Sequence, residues 1–216
     1  MQNIIPYHVF LKHAEKVLKT CDKLNIKGVY HKEPGKVVVT DGYRLYTANV
    51  GGHGKNGIFD IKGNELTDTN FPEEIEQVIP EAENCNVRID LDVIKALDGF
   101  KALQTCSAYF KDGDDKKIKK KNREIVFNTL ENRIETEYTS FIDARMEVDI
   151  DTDLDSDERY YVFVNSEFLI EAFTFLKDCG IETVSIYLNG STNPILIQNE
   201  LYDFKIIILP IRKGGV

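Results

Sequence analysis

Apolar residues in the stretch 6–24 recur at spacings of four and three, which predicts an amphipathic helix. The apolar stripe consists of Phe10, Ala14, Val17, Cys21 and Leu24. A second stripe of lysines has the same spacing: Lys12, Lys16, Lys19 and Lys23. At about 100° per residue the two stripes lie on nearly opposite sides. The lysine side is either an ordinary solvated face or a surface that contacts phosphate groups.

Short runs of β-branched and aromatic residues follow at 28–31, 36–39 and 44–48. Pro34-Gly35 and Asp41-Gly42 separate these runs and are strong turn signals. We therefore predict a three-stranded antiparallel meander packed on the first helix. A further short strand is expected near residues 58–61.

The stretch 67–85 is rich in proline and acidic residues. Proline cannot donate a backbone hydrogen bond to a sheet and restricts the residue before it, so this stretch is predicted to be a linker or a sheet edge. We place a domain boundary near Pro80. This gives two domains, residues 1–80 and residues 81–216.

The second domain has a regular predicted order of elements, β-α-β-β-β-α-β-β-β. Its helices are predicted at 92–103 and 166–178, where apolar residues follow the helical period. The predicted strands are 87–89, 125–130, 133–139, 160–164, 184–188, 195–197 and 204–209. The fold class is therefore α+β, with helices packed on antiparallel sheets.

Composition narrows the classes of function. The 216 residues carry a net charge of −9, which argues against coating nucleic acid by charge alone. One local basic face could still contact DNA. The sequence contains no apolar run long enough to span a bilayer and no recognisable signal peptide, so we expect a cytoplasmic protein.

Candidate chemistry is sparse. The four cysteines, Cys21, Cys85, Cys106 and Cys179, form no C-x-x-C pair and are expected to be reduced structural thiols. We find no Ser/His/Asp set, no glycine-rich phosphate loop and no dinucleotide-binding motif, so we predict no catalytic residue, no metal site and no cofactor.

Two charged runs leave alternatives open. Alternating aspartates between residues 147 and 158 are either a solvated acidic loop or oxygen ligands for Ca²⁺ or Mg²⁺. With a bound metal, the protein would be a metal-dependent nuclease or phosphatase. The basic run at 116–123 is either a solvated hairpin tip or a contact for a phosphate backbone.

Two distant segments form a recognisable pair. Thr40-Asp41-Gly42-Tyr43-Arg44-Leu45 and Leu209-Pro210-Ile211-Arg212, with Phe71-Pro72 and Ile79-Pro80 between them, resemble the bacterial sliding clamp, the β subunit of DNA polymerase III. The resemblance covers the last two of that family's three domains, with the first of these two truncated. It implies the sliding-clamp fold and a processivity factor that performs no chemistry itself. Such a factor binds peptide tails of polymerases and repair proteins, and surrounds duplex DNA without sequence specificity.

The resemblance also implies which residues form the peptide-binding groove. They are Ile26, Thr40, Gly42, Tyr43, Arg44, Leu45, Pro72, Val78, Pro194, Ile207, Leu209, Pro210, Ile211 and Arg212. Arg44 and Arg212 are expected to reach a carboxylate or carbonyls at the rim. Leu209 and Ile211 stand where the family has Met, and Tyr43 stands where His is usual. Because Met is unusually flexible, we expect a stiffer groove here.

The same resemblance implies that Lys12, Lys16, Lys19 and Lys23 face DNA. The missing domain leaves two possibilities open. The chain could close a ring as a homo-oligomer, or it could be a non-encircling decoy or regulator from a mobile element.

Overall fold

The computed structural model describes residues 3–21, 27–33, 35–51, 56–67, 69, 73–108, 124–136, 144–152, 154 and 158–213. Three α-helices lie in these residues: α1 (Tyr7–Lys19), α2 (Val93–Ala108) and α3 (Ser166–Asp178). The side chain of Asn165 caps α3 by accepting a hydrogen bond from the Glu167 N–H at 3.0 Å. Gly180, with φ of +72°, ends it.

The larger of two sheets has nine strands in the order β4-β1-β2-β3-β13-β12-β11-β5-β9, and all neighbours are antiparallel. We call it the large sheet. Its strands are β1 (Val29–Glu33), β2 (Lys36–Thr40), β3 (Arg44–Asn49), β4 (Gly57–Phe59), β5 (Val87–Asp92), β9 (Ile150–Thr152), β11 (Thr183–Leu188), β12 (Ile195–Asn199) and β13 (Tyr202–Ile208). The predicted meander of β1, β2 and β3 is confirmed.

The second sheet, which we call the small sheet, has four antiparallel strands in the order β10-β6-β7-β8. They are β6 (Glu124–Asn128), β7 (Arg133–Thr136), β8 (Arg145–Glu147) and β10 (Tyr161–Asn165). A helix followed by a three-stranded meander thus occurs three times: α1 with β1–β3, α2 with β6–β8, and α3 with β11–β13.

One hydrophobic core lies between the three helices and the facing side of both sheets. Its aromatic contacts include Phe10 of α1 against Phe175 of α3 and Phe100 of α2 against Phe173 of α3, with ring centroids 6.2 and 4.9 Å apart. Side chains alternate along each strand, so each sheet also has an outer face that points away from the helices.

The predicted boundary near Pro80 coincides with two short 3₁₀ helices, Glu73–Val78 and Ala82–Asn84. The large sheet crosses this boundary, since β3 pairs with β13 from Phe204 opposite Ala48 to Ile208 opposite Arg44. The core also contains residues from both sides. The division of the chain into two domains, residues 1–80 and residues 81–216, therefore stays a prediction.

The two strands that the sequence analysis missed, β8 and β9, are three residues long and flank the start of the acidic run. The helix predicted at 6–24 is observed as Tyr7–Lys19, and residues 22–24 lie outside the described residues. The charged tip at 111–123 also lies outside them. No described helix combines the length and the apolar character needed to cross a membrane.

All four cysteines lie in described residues, and none forms a disulfide. Burial raises the pKa of the Cys179 thiol to about 12. At neutral pH this thiol is therefore protonated and a poor nucleophile.

Candidate functional site

The turn at residues 40–45 is held by its own polar side chains. The Asp41 carboxylate accepts hydrogen bonds from the backbone N–H groups of Tyr43 and Arg44, both at 2.9 Å. Thr40 Oγ1 accepts from the Gly42 N–H at 3.0 Å and donates to the Arg44 carbonyl at 2.7 Å. Gly42 has φ of +87°, a conformation that a side chain disfavours. The turn is therefore rigid, and it leaves the Tyr43 side chain 60% exposed.

The C-terminal segment reaches this turn although Leu209 and Tyr43 are 166 positions apart in the sequence. Directly after β13, the Leu209 N–H donates a hydrogen bond to the Tyr43 carbonyl at 2.8 Å. Two residues later the Ile211 N–H donates to the Phe163 carbonyl of β10 at 2.7 Å. The segment thus crosses from the large sheet to the small sheet. It leaves the Leu209 side chain 39% exposed beside Tyr43.

The outer face of the large sheet is apolar next to these two residues. We define it by Val38, Leu45, Tyr187, Leu196 and Ile207, which form a cluster separate from the main core. Leu45 and Ile207 lie opposite each other on β3 and β13 and are 3% and 2% exposed. They are buried because the residues connecting β4 to β5 pack over the cluster. These covering residues are Ile75, Ile79, Ala82 and Cys85.

The predicted groove residues therefore divide into an exposed rim and a buried floor. Tyr43, Val78 and Leu209 are exposed apolar side chains, which we call the predicted rim, while Leu45 and Ile207 are buried and are called the predicted floor. The other described residues of the predicted groove, apart from Arg44, vary in exposure: Thr40 is buried, Gly42, Pro194, Pro210 and Ile211 are half-buried, and Arg212 is exposed. Pro194 precedes Ile195, which pairs with Ile208, so it lies level with Leu209. Ile26 and Pro72 lie outside the described residues.

The structure corrects the expectation that Arg44 reaches a ligand at the rim. Arg44 is 2% exposed and lies between α1, the turn and α3. Its Nε donates to Asp41 Oδ2 at 3.0 Å, its Nη1 to Glu171, and its Nη2 to Thr20 Oγ1 at 3.2 Å. Its guanidinium also stacks 4.6 Å from the centroid of the Phe168 ring. Arg44 therefore fixes the turn against α3 and is not accessible to a ligand.

The electrostatics agree with a permanently charged Arg44. Burial by itself lowers the pKa of Arg44. The attraction of its guanidinium to the side-chain oxygens of Tyr46, Glu171 and Asp41 is larger, so the pKa of Arg44 is raised. Burial also raises the pKa of Tyr46, so this residue stays neutral. The guanidinium is thus a fixed positive charge with two carboxylate partners.

The lysine stripe of α1 is partly neutralised by acidic residues. Lys12 Nζ pairs with Asp178 of α3 at 2.8 Å, and Lys19 pairs with Glu15 at 2.9 Å. Both lysines remain exposed, Lys16 is half-buried, and Lys23 lies outside the described residues. The stripe is less basic than the sequence pattern alone indicates.

Sequence reasoning missed the groups that join α1 and the turn to α3. Glu171 binds Arg44, and Asp178 binds both Lys12 and His13, whose Nε2 lies 2.8 Å from Asp178 Oδ2. On the sequence, these acids only lie on the polar side of a predicted helix. No local spacing connects them to residues more than 120 positions away.

The described part of the acidic run gives no support for a metal site. Glu147 and Asp151 lie on β8 and β9, and Asp153, Asp155 and Asp157 lie outside the described residues. Among the described residues, no group of three His, Cys, Asp or Glu side chains is arranged to hold a metal ion.

Comparison with solved structures assigns the fold to the class of DNA sliding clamps. The DNA polymerase III beta subunit of Thermotoga maritima aligns with 99% of this chain and 67% of its own, with a TM-score of 0.69 and 16% identity. The beta chain of Streptococcus pneumoniae aligns with 99% of this chain and 65% of its own, with a TM-score of 0.69 and 14% identity. The beta sliding clamp of Caulobacter crescentus aligns with 98% of this chain and 65% of its own, with a TM-score of 0.67 and 15% identity.

The chain therefore has the sliding-clamp fold in a shortened form. It spans about two thirds of the length of these solved clamps. No protein-family model and no curated protein matches the sequence. At 14–16% identity the likeness establishes the fold alone.

Proposed function

We propose that this protein is a clamp-like accessory factor that binds short linear peptides of DNA polymerases and other DNA-processing proteins. The observation that carries the proposal is the meeting of Tyr43 and Leu209. These exposed apolar residues come from segments far apart in sequence, are joined backbone to backbone at 2.8 Å, and border an apolar sheet face. In this proposal the protein binds and positions partners in the cytoplasm and catalyses no reaction.

The rim and the floor suggest how a peptide would bind. Its apolar side chains would pack on Tyr43, Val78 and Leu209, because exposed apolar side chains gain free energy when they are covered. The exposed Arg212 would pair with a peptide carboxylate or carbonyl. Arg44 would act indirectly, since it holds the turn that presents Tyr43.

The test is a titration with a fluorescein-labelled synthetic peptide taken from the C-terminal tail of a bacterial replicative DNA polymerase. We expect Leu209→Ser to raise the Kd at least about tenfold, equivalent to about 1.4 kcal/mol, because the peptide loses its apolar contact. Fluorescence anisotropy measures the change. Arg212→Ala should weaken binding by a smaller factor.

The matched control is Tyr161→Ser, because Tyr161 is an equally exposed apolar residue on the small sheet. Its Kd should stay within about twofold of that of the unchanged protein. A Leu209→Ser variant that binds as tightly as the unchanged protein would show that the peptide binds elsewhere. No detectable binding by the unchanged protein would refute the proposed function.

We also propose a weaker, non-specific contact of α1 with duplex DNA. The exposed lysines Lys12 and Lys19 favour it, and their partners Asp178 and Glu15 weaken it. Lys16→Glu combined with Lys19→Glu should abolish retention of the protein on duplex DNA in a fluorescence binding assay. These two positions avoid Lys12, whose reversal would also break the contact with α3.

Retention that survives in this variant would place the DNA contact elsewhere. Peptide binding without any DNA retention would favour the second candidate, a non-encircling decoy or regulator.

A further inference from the structure

The C-terminal segment, residues 209–213, lies outside the strands of both sheets. It carries two of the side chains on which the proposed function depends, Leu209 and Arg212. A segment without a strand ladder keeps its course only where individual contacts fix it. These contacts therefore decide how Leu209 and Arg212 are presented to a peptide.

Backbone hydrogen bonds fix the segment at its start and near its middle. The Leu209 N–H donates to the Tyr43 carbonyl at 2.8 Å, and the Ile211 N–H donates to the Phe163 carbonyl at 2.7 Å. Phe163 belongs to β10, the strand that begins the small sheet. A bond at Ile211 leaves the chain beyond it free to turn. The direction of Arg212 therefore depends on what holds the residue that follows it.

That residue, Lys213, is held by two strands of the small sheet. Its Nζ lies over the Phe163 ring, 4.6 Å from the centroid, and forms an ion pair with Glu124 Oε2 of β6 at 2.8 Å. Since β6 pairs with β10, the Lys213 side chain spans β10 to reach Glu124. An ammonium group is attracted both by the face of an aromatic ring and by a carboxylate.

The ion pair is partly withdrawn from water. The side chains of Lys213 and Glu124 are 32% and 21% exposed, and the Glu124 Oε2 atom is buried. A carboxylate oxygen that is already desolvated is destabilised when its cation is removed. The contact is therefore stronger than a pair in open solvent, where water and salt replace the lost partner.

We propose that Lys213 is a positioning residue for the peptide site, an inference that rests on the proposed function. Its contacts with Glu124 and Phe163 anchor the chain directly after Arg212. Leu209 and Arg212 are then held on the same side, towards one peptide, while Lys213 itself does not touch the peptide. Without the anchor the segment samples other conformations, and the apparent affinity falls in proportion to the fraction of molecules in which the segment is in place.

The test is a pair of charge reversals, Lys213→Glu and Glu124→Lys, studied alone and combined. Each reversal alone places two like charges side by side. Each should raise the Kd for the fluorescein-labelled polymerase tail peptide about tenfold, because about a tenth of the molecules then hold the segment in place. The combined variant restores an ion pair with its charges exchanged and should bind within about threefold of the unchanged protein.

Hydrogen exchange of the Ile211 N–H, measured by nuclear magnetic resonance without peptide, reports the anchor itself. In each reversal this amide should exchange at least about tenfold faster, and the combined variant should restore its protection. The Ile206 N–H of β13, inside the large sheet, should exchange at an unchanged rate, which excludes general unfolding.

Lys101→Glu is the control, because it makes the same change of charge on the exposed side of α2. It should alter neither the Kd nor the exchange of Ile211. Lys213→Met keeps an apolar chain over Phe163 and removes the charge without repulsion. It should raise the Kd about threefold, which tests the proposal should a reversed variant not fold.

Unchanged exchange of Ile211 in both reversals would show that Lys213 does not hold the segment. Faster exchange with an unchanged Kd would show that the anchor does not position the peptide site. A combined variant that still binds weakly would contradict the ion pair as the cause. Each of these results overturns the positioning role alone, since the unchanged protein still binds the peptide. No binding by the unchanged protein would refute the proposed function and the positioning role with it.

Discussion

The outer faces of the two sheets are built from different chemistry. On the large sheet the outer face is apolar, and the covering residues between β4 and β5 keep it from water. On the small sheet the outer face is charged: Arg133 forms ion pairs with Glu131 and Glu135, and Lys213 pairs with Glu124 at 2.8 Å. An apolar face needs a cover, whereas a face of paired charges can remain in water. The proposed function accordingly places the apolar partner beside the large sheet and not on the small one.

The cover itself is held mainly by apolar contact. Hydrogen bonds given for residues 75–85 are local, such as the Asn84 N–H to the Glu81 carbonyl at 3.0 Å and the Cys85 N–H to the Ala82 carbonyl at 3.1 Å. None of those described runs to a strand of the outer face. A bound peptide can therefore add to this cover at the rim formed by Tyr43, Val78 and Leu209.

The largest expected effect comes from breaking the buried charge network beside the large sheet. Arg44→Met leaves Asp41 and Glu171 without their cation, so we expect the free energy of unfolding to fall by about 3–5 kcal/mol. Arg133→Met on the small sheet should cost only about 1 kcal/mol, because its partner Glu131 borders water and its other partner, Glu135, keeps a hydrogen bond from Asn128 Nδ2 at 2.8 Å. Urea denaturation measures both. Equal losses for the two variants would contradict the contrast between the sheets.

Next in size is the loss of an apolar side chain from the floor. Ile207→Ala removes a side chain that is buried between Leu45 and the covering residues, and it should cost about 3 kcal/mol. Tyr161→Ala, which removes an exposed side chain of the small sheet, should change stability by no more than about 1 kcal/mol. Thermal unfolding of the two variants gives the comparison. A small loss for Ile207→Ala would mean that the cover does not seal the floor.

The smallest expected effect is a dependence on pH where α1 meets α3. Burial lowers the pKa of His13, and the hydrogen bond to Asp178 offsets this only in part. The folded state then binds fewer protons than the unfolded chain. The contribution of His13 to the free energy of unfolding is therefore fully present above pH 6.5, the ordinary pKa of histidine. It decreases as the pH falls from there towards the lower pKa of His13 in the folded state.

His13→Gln should reduce this slope, which cannot exceed about 1.4 kcal/mol per pH unit for one proton. The exposed His8 provides the control, and His8→Gln should leave the slope unchanged. Urea denaturation between pH 5 and 7 measures it. A slope that persists in His13→Gln would assign the effect to another group. The hydrogen bond from Lys12, and to a smaller extent the one from His13, lowers the pKa of Asp178. Its titration therefore also reduces stability as the pH falls, but only at more acidic pH.

Sequence patterns predicted the elements that obey a clear period. The helix at 166–178 begins and ends where its apolar spacing and Gly180 place it, and the meander of β1–β3 follows its turn signals. The pairing of the Tyr43 turn with Leu209 followed from the resemblance to sliding clamps, because neither segment reveals the other by local pattern.

The rest depended on contacts between distant residues. The position of Arg44 in the motif predicts a residue at the rim of the groove. In the structure it is buried, because its guanidinium pairs with Glu171 of α3. Strand β8 was missed because its alternation of charged and apolar residues leads directly into the acidic run, which was interpreted by its charge and not by its period. The cover over Leu45 and Ile207 comes from a proline-rich stretch that the sequence indicates only as a linker or a sheet edge.

The most direct test of the central claim is to map where the polymerase tail peptide binds, from amide chemical shifts measured by nuclear magnetic resonance. The account predicts that shifts on adding the peptide concentrate at residues 40–45, 75–85 and 207–212, and that the small sheet is unchanged. Shifts confined to the small sheet, or none with excess peptide, would contradict the assignment of the large sheet's outer face as the binding surface.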